Sequence, residues 1–163
     1  ARNLGAKHIA MVGSPNREDA ARAAGATAYC SYHTEDMAQV IGEQSDGFDY
    51  IIDAVGKRDQ INRVLPLLNP RGTIGIYGID EFYFASVNPR LAQGTFLYYN
   101  GGYDEAEAHE RVVAFIEDGR LDARIWLNLD GAFPLDDING AMASIRNREC
   151  VKALVRLTET AVS

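Results

Sequence analysis

Four short stretches carry residue types that let a backbone or a side chain meet a phosphate or a sugar, and each follows an apolar run. They are Gly13-Ser14-Pro15-Asn16-Arg17, Tyr32-His33, Asp53-Ala54-Val55-Gly56 and Tyr77-Gly78-Ile79-Asp80. Three of the four contain glycine, which admits close approach of a ligand to the main chain. In the first, a hydroxyl and a guanidinium stand where a dinucleotide site for an unphosphorylated ribose places an acid. A carboxylate there would repel a 2′-phosphate, whereas Gly13, Ser14 and Arg17 would accept one. NADP is therefore expected in preference to NAD. The plainer alternative is that Ser14 and Arg17 cap and solvate a helix start, with Glu18 and Asp19 weakening the positive field behind them.

Other reactive side chains do not assemble into a recognisable centre. His8, His33 and His109 have no partner at metal-ligand spacing, and Cys30 and Cys150 lie far apart, so neither a zinc knuckle nor a disulfide framework is expected. Asp104, Glu105, Glu107 and Glu110 cluster where a helix begins, which complements the helix dipole. No Gly-x-Ser-x-Gly elbow is present, and no catalytic residue is assigned. The formal net charge is -7, which argues against nucleic acid or an anionic membrane as partner. No apolar run reaches the roughly 20 residues of a membrane span. Residues 1–5 read as a helix tail rather than a leader, and a reducing, cytoplasmic setting is expected.

The elements that must position these turns alternate in type. Strands are expected over 8–12, 27–30, 48–53, 73–77, 95–99 and 151–157. Helices are expected over 17–24, from Thr34 with Met37, Val40 and Ile41 on one face, over 59–68, 104–118 and 135–147. The segment Asn69-Pro70-Arg71-Gly72 is expected to stop the third helix sharply. Apolar strands separated by helices indicate a parallel sheet covered on both faces, in which ligands lie beyond the carboxyl ends of the strands. The fold class is thus α/β, a doubly wound Rossmann-type parallel sheet. The opening Ala1-Arg2-Asn3-Leu4-Gly5-Ala6 reads as the last turn of an earlier helix, so the sheet is expected to be truncated at its front. Its first strand and glycine-rich turn would then be absent. Gly72 to Gly78 is spaced G-x-x-G-x-x-G within a strand and is no substitute.

Several stretches in order along the chain resemble the medium-chain dehydrogenase/reductase superfamily, most closely its zinc-containing alcohol and polyol dehydrogenase branch. They are Leu4-Gly5-Ala6, Arg22-Ala23-Ala24-Gly25-Ala26-Thr27, Gly47-Phe48-Asp49-Tyr50-Ile51-Ile52-Asp53-Ala54-Val55-Gly56 and Leu67-Leu68-Asn69-Pro70-Arg71-Gly72. Phe133-Pro134-Leu135-Asp136-Asp137-Ile138 and Val151-Lys152-Ala153-Leu154-Val155 follow. The resemblance implies that Gly13 and Ser14 match NADP-preferring members and that Tyr32 lies beside the adenosine phosphate. It places Asp53, Ala54, Val55 and Gly56 along the nicotinamide ribose, Tyr77, Gly78 and Ile79 at the carboxamide, and Lys152 at the pyrophosphate. Pro15 stands where such members have arginine, so Arg17 would have to reach back.

The resemblance further implies a dinucleotide-binding domain over 1–99 and a segment over 100–163 that packs with a catalytic domain. Zinc ligands are expected only in that catalytic part. The activity implied is hydride transfer between NAD(P) and a small-molecule alcohol, polyol or carbonyl, in a homo-oligomer (dimer or tetramer) joined through the strand near 95–99. The chain alone is expected to be inactive. Alternatives are a zinc-free quinone or enoyl reductase of the same superfamily and a non-catalytic nucleotide-sensing module.

Overall fold

The computed structural model of the protein describes residues 1–33, 36–78, 80–81, 86–99 and 101–157. The chain divides into two units, Ala1–Glu105 and the residues from Ala106 onward.

The first unit opens with a short 3-10 turn, Arg2–Leu4, closed by Gly5 in the left-handed region. Strand β1 (Ala10–Gly13) leads through the turn Pro15–Arg17 into α1 (Glu18–Ala23), and β2 (Ala28–Ser31) returns beside β1 in parallel. Helix α2 (Met37–Gly42) crosses to β3 (Phe48–Asp53), and α3 (Gln60–Val64) with the 3-10 turn Leu65–Leu67 leads to β4 (Leu68–Ile76). β4 pairs in parallel with β3 on one side and with β5 (Leu97–Tyr99) on the other. Every described pairing is parallel, and the sheets run β1-β2 and β3-β4-β5. The α/β class and its doubly wound parallel character are thereby realised.

Local expectations change at two turns and in the last strand, which is Val155–Arg156 where 151–157 was expected. The 69–72 segment does not end a helix; it bulges out of β4. Phe48 pairs with Leu68 and Tyr50 with Thr73, so residues 69–72 stand opposite Asp49 alone. Pro70 has no N–H to lose at an unpaired position, and Arg71 turns there at φ +69°. The start of α2 is capped by Asp36, whose carboxylate accepts the amides of Ala38 and Gln39 at 2.9 and 3.2 Å. Thr34, Ile79 and Asn100 lie outside the described residues.

Burial fixes the layers. Ile61 and Leu65 pack against Leu68 and Ile74 of β4, with Ile51 of β3 alongside. Met37 and Ile41 of α2 pack on Cys30 of β2, and Ala10 of β1 and Phe48 of β3 touch the same cluster. Helix α2 therefore holds the two sheets together across one face. On the other face Ala21 of α1 packs with Ala26 and Tyr29.

In the second unit α4 (Glu105–Glu117) ends at Gly119, φ +70°, with the Arg120 guanidinium 4.6 Å from the Phe115 ring centroid. Strand β6 (Phe133–Pro134), α5 (Ile138–Arg146) and β7 (Val155–Arg156) form a small parallel β-α-β unit, with Asp137 capping α5 through the Gly140 amide.

Candidate dinucleotide site

The site is built where the strands end. At the end of β1 the Gly13 carbonyl accepts the Tyr32 amide at 3.2 Å, tying the end of β2 to it. The Ser14 carbonyl accepts the Arg17 amide at 3.0 Å and the Tyr29 hydroxyl at 2.6 Å. Tyr29 reaches it by crossing the open side of Gly13, where a Cβ would stand 2.4 Å from the phenol oxygen. Gly13 thus makes room for a side chain of the neighbouring strand, a packing role additional to any ligand contact. Burial, reinforced by the Glu18 carboxylate, raises the Tyr29 phenol above its ordinary 10.0.

Ser14 is buried, has extended backbone and makes no side-chain cap to the turn that follows. Arg17 is half-buried beside it. Glu18, the acid closest behind, is held by Arg22, Oε1 to Nη2 at 3.0 Å. Tyr32 stacks on His33 at 4.3 Å between ring centroids, tilted by 43°.

At the end of β3, Asp53 is committed to shaping its own loop. Its Oδ1 accepts the Val55 and Gly56 amides at 3.0 and 2.8 Å, and its carbonyl accepts those of Tyr77 and Gly78 at 2.8 and 3.0 Å. The carbonyls of Val55 and Gly56 in turn accept the amides of Asp80 and Glu81. The loops after β3 and β4 therefore touch backbone to backbone. A Cβ at Gly78 would lie 2.0 Å from the Val55 carbonyl carbon, so only glycine fits there. Lys57 and Asp80 pair at 3.7 Å across the same junction. Tyr77 is exposed.

Tyr32, Asp53, Ala54 and Val55 line one cavity of about 510 Å³, which continues between β1 and β3. Gly56, Tyr77 and Gly78 join that group through the hydrogen bonds of the two loops. Gly13 and Ser14 join it through the Tyr32 amide, and Arg17 through Ser14. Lys152 belongs to the second unit, where it bridges Leu127. Sequence reasoning missed Tyr29; the signal was a glycine ending one strand beside a tyrosine in the next. It also missed the cavity wall, because the gap between two strands has no residue of its own.

At the end of β1 a hydroxyl and a guanidinium thus follow one another in the same turn, and Glu18, the next acid along the chain, is ion-paired to Arg22. Among the described residues no group of three or more His, Cys, Asp or Glu is placed to hold a metal.

A family model described as zinc-binding dehydrogenase matches residues 1–113. A 2-haloacrylate reductase from a Burkholderia species is 36% identical over 80 residues, 48% of this chain and 24% of that protein. Among solved structures, benzyl alcohol dehydrogenase of Acinetobacter calcoaceticus aligns with a TM-score of 0.81 at 21% identity, covering 97% of this chain and 45% of that one. The quinone oxidoreductase of Escherichia coli complexed with NADPH aligns at 0.74 and 22%, covering 95% and 51%. This chain thus spans about half the length of those structures and less of the reductase. Because the family model takes in well over half of its residues, the chain belongs to the zinc-binding dehydrogenase family.

Proposed function

We infer that this chain is the coenzyme-binding part of an NAD(P)-dependent oxidoreductase that moves a hydride between nicotinamide and an alcohol, polyol or carbonyl substrate. The nicotinamide, when bound, supplies the hydride chemistry; the chain's residues bind and orient it. Ser14 and Arg17 would meet a 2′-phosphate, Tyr32 would lie against the adenosine, and the loops 53–56 and 77–79 would flank the nicotinamide ribose and carboxamide. Lys152 would reach the pyrophosphate, and the segment from 100 would pack with a catalytic domain that carries zinc. Oligomerisation through β5 is part of the same reading.

NADP preference is supported by one observation: Glu18, the residue that follows Arg17, is ion-paired to Arg22, so part of that carboxylate's charge is already balanced. The test is titration of the complete enzyme with NADP and NAD, before and after Arg17→Ala. Loss of one charge-assisted contact should weaken NADP by about tenfold and spare NAD. Equal losses would remove Arg17 from the phosphate site.

A second reading, the zinc-free reductase branch, is favoured by the 36% identity to 2-haloacrylate reductase and by the NADPH-complexed quinone oxidoreductase among the structural neighbours. Metal analysis of the complete, active enzyme separates the branches: stoichiometric zinc selects the dehydrogenase and its absence the reductase.

A further inference from the structure

The Ser14 carbonyl receives two hydrogen bonds, and they come from different elements. The Arg17 amide donates at 3.0 Å and closes the turn Pro15–Arg17, and the Tyr29 hydroxyl of β2 donates at 2.6 Å. Pro15 fixes its own φ inside the turn, so residues 14–17 form one short, stiff unit. The turn is therefore placed by whatever holds the Ser14 carbonyl, and across the strands that is Tyr29. Gly13, which ends β1, accepts the Tyr32 amide just before it. The two ties fasten the turn to β2 from successive residues.

Packing alone would not require this hydroxyl. Tyr29 is 7% exposed and packs with Ala21 of α1 and with Ala26, where an aliphatic or phenyl group would fill the same space. Its hydroxyl instead passes the open side of Gly13, where a Cβ would stand 2.4 Å away. A buried phenol needs an acceptor, and the one it takes is the carbonyl that closes the turn. Glu18, Tyr32, Arg17 and Cys30 all lie near enough to act electrostatically on the same phenol. Tyr29 therefore adjoins three residues assigned to the phosphorylated end of the coenzyme: Ser14, Arg17 and Tyr32.

We propose that Tyr29 is a specificity-determining positioning residue: by holding the Ser14 carbonyl it sets the turn so that the Ser14 hydroxyl and the Arg17 guanidinium receive a 2′-phosphate together. The proposal rests on the coenzyme reading above and adds to it a residue that acts only through the turn. A ligand with the 2′-phosphate needs both groups held in place beforehand, and that preorganisation is what the phenol supplies. A ligand without the phosphate gains nothing from it. Loss of the hydroxyl therefore acts on discrimination rather than on binding in general.

The test is calorimetric titration of the complete enzyme with adenosine 2′,5′-bisphosphate and with 5′-AMP, which differ only in the 2′-phosphate. Tyr29→Phe should weaken the bisphosphate by about fivefold or more and change 5′-AMP by less than about twofold. A purely structural role would move both together. Incorporating 4-aminophenylalanine at position 29 restores an N–H donor on the same ring and should recover most of the lost preference. Should Tyr29→Phe fail to fold, 4-fluorophenylalanine, which fills the hydroxyl's place without a donor, is the second variant, and the same split is expected. Equal weakening of both ligands overturns the proposal and makes Tyr29 a packing residue. An unchanged ratio in Tyr29→Phe, with the ratio lost in Arg17→Ala, also overturns it and leaves the coenzyme reading standing. If the wild type itself binds the two ligands alike, the phosphate reading fails and this proposal fails with it.

Discussion

The Tyr29 hydroxyl crosses the bare side of Gly13 to reach the Ser14 carbonyl, so the turn proposed to meet the adenosine phosphate is positioned from the neighbouring strand. Replacing Tyr29 by Phe keeps the ring and removes one buried hydrogen bond, which should lower stability by about 1 kcal/mol in urea unfolding. The phenol is raised above 10.0 in the folded chain, so its protonated form is the one that folding favours. Its contribution is complete below pH 10 and is lost as the pH rises through the folded value; the wild type should therefore lose stability on alkaline titration more steeply than Tyr29→Phe. A second test uses the same contact. Gly13→Ala places a methyl 2.4 Å from the phenol oxygen and should destabilise the chain, whereas adding Tyr29→Phe removes the clashing atom and should recover part of the loss. Additive effects in that double-mutant cycle would show that Gly13 is glycine for another reason.

Among the elements, the strands and their order were legible in the sequence wherever an apolar run stood clear of turn residues. Residues 48–53 form β3 with the expected bounds because Gly47 and the Ala54-Val55-Gly56 loop isolate it. The helix expected over 59–68 was shorter, because Leu68 answers to the register of β3 and pairs with Phe48. The bulge at 69–72 carries every local sign of a helix stop; only its partner strand reveals that pairing resumes at Thr73. Asp36, and not the expected start at Thr34, supplies the cap of α2. The positions of the loop glycines were readable, but the tertiary contacts that require them were not: Gly13 answers to Tyr29 and Gly78 to Val55, each across a strand boundary. Leu65 joins α3 to β4 with no exposed surface. Leu65→Ala should cost about 2–5 kcal/mol in chemical denaturation, and a loss below 1 kcal/mol would mean that the β3-β4-β5 layer is not held by this helix.

At the scale of the whole molecule, membership in a family named for zinc does not place zinc in this chain. Structural zinc takes four ligands and catalytic zinc three with an open position, and the described residues bring no three candidate side chains together. Cys30 is buried in the α2 cluster, and Cys150 accepts a hydrogen bond from the Ser144 hydroxyl at 3.4 Å. Both thiols are thus engaged in packing within separate units. A bound structural metal contributes roughly 10 kcal/mol or more to the folded state, so removing one is conspicuous. Thermal unfolding of this chain with and without excess chelator should give the same Tm, within about 1 °C of scan reproducibility, since 1 kcal/mol would already shift it by about 2–8 °C. The complete enzyme under the same treatment should lose activity if it belongs to the dehydrogenase branch, while its coenzyme affinity stays near that of the untreated protein. A fall in the Tm of this chain on chelation would mean that a metal is held by residues outside those described, and the assignment of zinc to the catalytic part would have to be withdrawn.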